Sequence, residues 1–260
     1  MNPVLLDLGF IKIYWYSFIL LLSIVTASFL LYKNLKKAGY DDDFFINLAF
    51  GTIIGGIIGA RIYYVLFELD YYLSNPLDII KTWNGGLAIH GAIIGGALWL
   101  IYYCHKKRVS FLKIMDMSVI SLIIAQVIGR WGNFFNQEAH GIVTTAATLK
   151  KYLIPNFIIK GMYIDGNYYH PTFFYELLWN FLGFIILLIL NKKCKLKSGV
   201  LTGIYLMWYS FIRFFIEKLR TDSLMLFDIR FARVISIVLF FLGLFLIIYS
   251  KIRKEVKYEK

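Results

Sequence analysis

Seven long apolar runs dominate this chain and limit what it can fold into. A bilayer's hydrocarbon core is about 30 Å thick, and a helix rising about 1.5 Å per residue crosses it in about 20 mostly apolar residues. Runs of this kind cover Phe10–Tyr32, Phe44–Phe67, Gly86–Tyr103, Phe111–Phe135, Thr172–Leu190, Gly199–Ile216 and Val234–Tyr249. The first is too long for the core of a secretory signal, and no small-residue cleavage site follows it, so it reads as a mature helix. Hydrophobic residues make up 59% of the chain and charged residues 17%. Soluble domains run at roughly 45–50% and about 25%, so a soluble globule, a disordered chain and a collagen-like chain are all excluded. The expected fold class is an all-α integral membrane protein with seven transmembrane helices, residues 1–260 forming one polytopic membrane domain. Asn136–His170 is too polar and broken to span, which makes 136–170 an expected extracytoplasmic arm. Tyr71–Gly85 is expected to hold an interfacial helix.

The charges between the runs orient the chain. Lys33, Lys36 and Lys37, then Lys106, Lys107, Arg108 and Lys113, then Lys192, Lys193, Lys195 and Lys197, then Lys251, Arg253, Lys254, Lys257 and Lys260 lie on one side, sixteen cations in all. The alternate side holds Lys12, Lys81, Lys150, Lys151, Lys160, Lys218, Arg220 and Arg230, eight in all. Cationic loops stay in the cytoplasm, so the N-terminus is expected outside and the C-terminus inside, a parity that seven crossings satisfy. The net charge of +12 resides mostly in short juxtamembrane clusters suited to anionic lipid, so no nucleic-acid partner is expected. Cys104 and Cys194 fall near the cytoplasmic ends, where thiols stay reduced. Four scattered histidines lack ligand spacing, and neither a metal site nor a cofactor is implied. Gly51, Gly55 and Gly59, with Gly91 and Gly95, put small residues four apart, a face that lets two helix backbones approach closely.

Ionisable groups inside a bilayer are costly and mark function by default. At 1.5 Å per residue, Arg61 lies about 25 Å into the second run, Arg130 about 28 Å into the fourth and Arg213 about 21 Å into the sixth. His90, Glu176, Tyr14 and Tyr16 meet the same level near the start of inward-running helices, and Arg233 opens the last run. The costly side chains therefore share the outer third of the membrane, and the rest is nearly pure hydrocarbon. A pore or an alternating-access transporter would place polar groups at the midplane or throughout. The pattern fits a site open to the outer leaflet, with Arg61, Arg130 and Arg213 facing Glu138, Glu176 and Glu217. Guanidinium groups bind phosphate bidentately and keep their charge when partly dried, so a phospholipid head group is the natural anion there. Simpler readings stand beside this one. Arg61 and Arg233 could snorkel to the interface, Arg213 and Glu217 could form an i, i+4 structural pair, and Arg220 and Asp222 read as solvated.

The most specific stretch is Gly129-Arg130-Trp131-Gly132-Asn133-Phe134-Phe135-Asn136-Gln137-Glu138-Ala139-His140-Gly141. Gly132 lets a neighbour come close, Asn133 and Asn136 are i, i+3 amides, Glu138 can orient Arg130, and Gly141 is expected to free a turn into the arm. This stretch resembles the signature of the bacterial prolipoprotein diacylglyceryl transferases, G-R-x-G-N-F-x-N-x-E-x-x-G, at every fixed position. Trp15-Tyr16, Gly59-Ala60-Arg61, Trp83 through Gly91, His170-Pro171, Tyr175-Glu176 and Arg213 through Glu217 to Arg220 extend the resemblance over nearly the whole chain. Arg230-Phe231-Ala232-Arg233 departs from the Met-Gly-Gln run common in the family.

The resemblance implies seven spans with the N-terminus outside, in a bacterial cytoplasmic (inner) membrane, with the active site toward the outer leaflet. It implies transfer of the diacylglyceryl unit of phosphatidylglycerol to the lipobox cysteine thiol of an exported prolipoprotein. Its partners would be that lipid, the prolipoprotein signal peptide with its lipobox cysteine, and the surrounding membrane lipid. The residues it implicates are Tyr16, His90, Arg130, Asn133, Glu138, Gly141, Arg213 and Glu217, with Arg130 as a lipid-binding residue; Arg61 and Asn136 are added here as binding candidates. Arg130 and Arg213 could stabilise charge developing on the leaving phosphate. His90 is placed as a general base for the thiol or as an orienting group, and both roles stay open. Two other classes fit the apolar runs. A lipid or ion translocator predicts polar lining at several depths, and a phosphatidylglycerol hydrolase needs a paired-carboxylate metal motif or a nucleophilic serine motif; neither pattern is present.

Overall fold

The computed structural model describes residues 1–9, 12–221, 225, 226 and 229–252. Phe10, Asp222, Arg253, Lys254, Lys257 and Lys260, used in the sequence reading, lie outside the described residues. The described chain runs β1 (Val4–Asp7), β2 (Lys12–Tyr14), α1 (Trp15–Lys37), α2 (Asp42–Phe67), α3 (Leu69–Ser74), α4 (Ile89–Lys106) and α5 (Phe111–Asn136). It continues through β3 (Val143–Thr144), α6 (Ala146–Lys151), α7 (Asn156–Gly161), β4 (Tyr163–Ile164), β5 (Asn167–Tyr169), α8 (Thr172–Lys193), α9 (Val200–Ile216), β6 (Met225–Leu226), β7 (Ile229–Arg230) and α10 (Phe231–Ile252). Each of the seven apolar runs falls on one long helix. Five of these, α1, α2, α5, α8 and α10, are long and apolar enough to cross a membrane by length and composition. α9 is a shorter apolar helix of 17 residues, and α4 has 18 residues. The first helix starts at Trp15 rather than near Phe10, because β1 and β2 pair as an antiparallel hairpin whose Pro3 carbonyl accepts from the Trp15 N–H at 3.0 Å.

The chain divides into two compact units. Among the described residues, one unit contains the stretches 1–31 and 115–252 and the other contains 32–114. In the second unit the Asp41 carboxylate caps α2 by accepting from the Phe44 N–H at 2.7 Å. α2 then packs on α4 through the expected glycine faces: a Cβ on Gly59 would strike the Gly91 carbonyl, and one on Gly95 would strike the Gly55 carbonyl. Backbones this close gain dispersion energy along the whole contact, which is what holds helices together where lipid removes the hydrophobic drive. The expected interfacial helix is α3, followed by 3-10 turns at Pro76–Ile80 and Thr82–Asn84.

In the first unit, α9 packs on α10 by a reciprocal approach of Gly203 and Gly243, each Cβ position lying 2.6 Å from the other's carbonyl oxygen. α8 and α9 are pinned by Trp179 and Trp208, whose rings stack at 4.3 Å and whose indole N–H groups each donate to the other's carbonyl at 3.0 and 3.1 Å. Asp116 of α5 caps α9 from a distance: its carboxylate accepts from the Gly199 N–H at 2.7 Å, the Thr202 N–H at 2.8 Å and the Thr202 hydroxyl at 2.6 Å. Orphan N–H groups at a helix start favour an anion, and here another helix supplies it. The expected arm is a small head on the ends of α5 and α8. Its three strands are ordered β3-β5-β4, and Leu149, Ile158 and Met162 are buried with Phe134 and Phe173 of the flanking helices.

Candidate active site

Arg130, Glu176 and Arg213 come from three helices and meet at one carboxylate. Arg130 sits near the end of α5, Glu176 near the start of α8 and Arg213 near the end of α9. Arg130 Nη2 pairs with Glu176 Oε2. Arg213 Nη1 donates to Glu176 Oε1 at 3.0 Å, and its Nη2 reaches Glu217 Oε2 at 2.9 Å. Glu176 is 2% exposed and Glu217 1%. In so dry a place each charge needs its partners, since a buried ion left alone is heavily penalised. The Arg213–Glu217 pair expected from i, i+4 spacing is present, as one arm of a larger network.

The signature stretch wraps this centre. Arg130 Nη1 donates to Asn133 Oδ1 at 3.4 Å, and Asn133 Nδ2 donates to Glu138 Oε1 at 3.0 Å. Glu138 was expected to orient Arg130; it does so through Asn133, while its own side chain is exposed, as is Asn136. Gly132 is needed for close approach as expected: a Cβ there would lie 2.9 Å from Tyr16 Cδ2, so the half-exposed Tyr16 ring lies directly on the α5 backbone. Beside it Trp15 and Phe135 stack at 4.5 Å. The expectation for Gly141 needs correction. The left-handed residues in this turn are Gln137 and Ala139, with φ of 53° and 54°. Gly141 instead donates to the His170 carbonyl at 2.8 Å and bridges to Arg220, and a Cβ on it would lie 2.8 Å from His170 Cβ. Its role is smallness between two backbones rather than a free turn.

Two further cations approach, Arg230 from β7 and Arg233 from the first turn of α10. Arg230 Nη1 donates to the Glu217 carbonyl. The Arg233 guanidinium lies 4.3 Å from the Phe214 ring centroid, so it stacks on α9. In the head, His170 Nδ1 is 3.0 Å from the Tyr175 hydroxyl, and burial lowers the His170 pKa below its ordinary 6.5.

Arg61 and His90 belong to the second unit. Arg61 is 7% exposed. Its Nε donates to the Ile79 carbonyl at 2.7 Å, its Nη1 to those of Gly85 and Gly86 at 2.8 and 2.9 Å, and its Nη2 to that of Asp78. Its face lies 5.2 Å from the Tyr72 ring. A cavity of about 150 Å³ opens beside it, lined by Arg61, Tyr64, Tyr71, Tyr72, Asp78 and Lys81 among others. Lys81 and the Tyr71 hydroxyl both donate to the Asp78 carboxylate and hold its pKa below the ordinary value. His90 is half-buried in the first turn of α4, its ring 6.0 Å from that of Tyr63.

A family model described as prolipoprotein diacylglyceryl transferase matches residues 3–249. The chain belongs to this family. Among its curated relatives, the phosphatidylglycerol–prolipoprotein diacylglyceryl transferase of Listeria innocua is 48% identical over 258 residues, covering 99% of this chain and 93% of the relative. Proteins of the same name from Staphylococcus xylosus and Staphylococcus aureus strain MSSA476 are 46% and 47% identical over 253 residues, covering 97% of this chain and 90% of each relative.

Set against that family membership, the structure brings together Arg130, Asn133, Glu138, Arg213 and Glu217 in one connected network, with Tyr16 on the same stretch of α5 and Gly141 at its exit. Glu176 is expected from the sequence only as one of three carboxylates facing the arginines; the structure makes it the hub that joins Arg130 to Arg213. The signal was available, since a carboxylate in the second turn of a long apolar helix is costly unless it is paired. What could not be read was that both arginines converge on it.

Proposed function

We propose that this chain is a phosphatidylglycerol–prolipoprotein diacylglyceryl transferase, which moves the lipid's diacylglyceryl unit to the lipobox cysteine of an exported prolipoprotein and releases glycerol phosphate. The observation that carries the site assignment is the convergence of Arg130 and Arg213, from two helices, on one buried anion, Glu176. Two planar forks aimed at one carboxylate form a dry anion site, and a phosphodiester is the anion a lipid would bring to it.

The chemistry follows from charge. A free cysteine thiol has a pKa near about 8.5, so a base or a cationic field must first remove its proton. The thiolate then attacks the glyceryl carbon, the carbon–oxygen bond to phosphate breaks, and the electron pair stays with the leaving phosphate. The singly charged diester thus becomes a doubly charged glycerol phosphate. Arg130 and Arg213 stabilise that added charge; one preorganised donor in a dry site contributes about 3–4 kcal/mol. Asn133, backed by Glu138, keeps the Arg130 fork in plane, and Tyr16 is assigned to the head group. His90 is assigned to the thiol, as base or as orienting group. Arg61 is assigned to holding the 76–88 segment, because its donors already serve four carbonyls.

The same proposal includes seven spans in a single polytopic domain of a bacterial cytoplasmic membrane, with the N-terminus and the 136–170 arm outside. The sixteen-to-eight cation asymmetry supports it, as do the seven long helices. Purified protein mixed with phosphatidylglycerol and a lipobox peptide should add a diacylglyceryl mass to the peptide, and Arg130→Ala should abolish the addition while the protein still inserts and folds. Full activity in that variant would end the assignment of Arg130.

A further inference from the structure

The ionic centre rests on a second polar layer that the reading above does not use. α8 presents Glu176, Asn180, Gly183 and Leu187 as one buried stripe, the i, i+4 pattern of a single helix face. α5 presents Arg130, Gln126 and Ile123 in the opposite direction, and α9 presents Arg213, Tyr209 and Tyr205. The axial register is set by the Arg130–Glu176–Arg213 pairs at one level and by Gly183 at another, where a Cβ would strike Trp208 and come within 2.9 Å of Ile123 Cδ1. Asn180 therefore lies one turn below Glu176, and Gln126 one turn below Arg130.

Asn180 is 0% exposed, and neither its amide nitrogen nor its oxygen has a hydrogen-bond partner among the described residues. Gln126 Nε2 donates to the Tyr205 hydroxyl at 2.8 Å, while its buried Oε1 has no partner among the described residues. A buried amide left unbonded destabilises a fold, and such groups are rare unless another state of the protein uses them. The site supplies such a state. Glu176 neutralises the two guanidiniums that must grip the phosphate. A phosphate entering between them takes their donors, and Glu176 is left as a buried carboxylate stripped of its cations. An amide at i+4 on the same helix face is a recognised partner for a carboxylate.

We propose that Asn180 is a positioning residue of the transfer reaction, its amide N–H receiving the Glu176 carboxylate when a lipid phosphate draws Arg130 and Arg213 away from it. The inference rests on the reading that the two arginines bind the phosphate. Asn180 touches no substrate; it lowers the cost of moving the carboxylate that competes with the substrate. That stabilisation is present in the lipid-bound ground state and in the transition state alike, so its loss acts on KM and leaves kcat in place.

The test uses the full chain in mixed micelles, with phosphatidylglycerol varied against a fixed lipobox peptide. Asn180→Leu removes the amide while keeping the number and branching of side-chain heavy atoms. KM for the lipid should rise about tenfold or more, the effect of losing a hydrogen bond to a charged group, with kcat within about twofold. The thermal midpoint should hold or rise, because an unbonded amide has been replaced by an apolar group. Lipid affinity is then measured by equilibrium titration in a Glu176→Gln background, which needs no turnover. There the carboxylate that Asn180 serves is gone, and adding Asn180→Leu should change Kd less than about twofold. An unchanged KM in Asn180→Leu, an equal effect in both backgrounds, or a fall in the thermal midpoint overturns the proposal. Arg130→Gln serves as the control: if it binds the lipid as the unmodified protein does, the phosphate reading itself has failed, whatever Asn180 does.

Discussion

Replacing Arg213 by lysine keeps the charge and removes the fork. Arg213 uses Nη1 for Glu176 at 3.0 Å and Nη2 for Glu217 at 2.9 Å, and both carboxylates are almost wholly buried. A lysine Nζ is a single point on a flexible stem and can serve one of them well, so one charge-assisted hydrogen bond is lost, at a cost of about 1.5–3 kcal/mol in the resting protein. In the transition state the same lysine must hold the phosphate and steady Glu217 at once, and the loss of one preorganised donor there is worth about 2.7–4 kcal/mol, or roughly 10²–10³ in rate. Arg213→Lys should therefore insert and fold, with turnover reduced roughly a hundredfold or more. Arg213→Met goes further: it strips a cation from two buried carboxylates and should cost about 3–5 kcal/mol of stability. Initial rates of diacylglyceryl addition to a lipobox peptide, followed by mass, check the first outcome, and thermal unfolding in detergent checks the second. An Arg213→Lys variant turning over within about threefold of the unmodified rate would show that charge alone suffices, and the bidentate argument would be wrong.

Three other outcomes are expected. Arg61→Leu removes four bonds to the carbonyls of Asp78, Ile79, Gly85 and Gly86; the 76–88 segment should become readily cleaved by protease, while Arg61→Lys restores only part of the protection. Asp116→Ala removes the anion that accepts three hydrogen bonds at the start of α9 and should lower stability by about 2–3 kcal/mol, with Asp116→Asn losing less, as unfolding curves would register. Burial lowers the His170 pKa below 6.5, so the unfolded chain takes up that proton more readily than the folded one. The stability from neutral His170 is complete above about pH 6.5 and is lost as pH falls through the lower folded value; the thermal midpoint should drop between about pH 7 and 5, and His170→Gln should flatten part of that drop.

The helices were legible because the free energy of placing a side chain in hydrocarbon is local and nearly additive along the chain. Phe44–Phe67 and Thr172–Leu190 announce themselves without reference to any other segment, and so do the cation clusters beside them. The glycine faces of α2 and α4 were legible for a similar reason, since spacing on one helix shows that a close neighbour is wanted. The stretch from Gly129 to Gly141 identified the family from residue types alone. It did not reveal that Glu138 works through Asn133, or that Gly141 is squeezed against His170 rather than turned.

What the amino-acid order determined by itself, then, was where the long apolar helices run, which ionisable residues sit within or beside them, and to which family the chain belongs. Only the tertiary structure decided who meets whom. Glu176 joins Arg130 to Arg213, Asp116 caps a helix whose N-cap residue lies 83 residues later, and Arg61 turns to four carbonyls. The physical reason is that an ion pair between helices depends on the rotation of each about its axis and on their relative sliding. Those quantities are set by the packing of all the side chains between them, Gly183 against Trp208 and Ile123 included, and no single position encodes them.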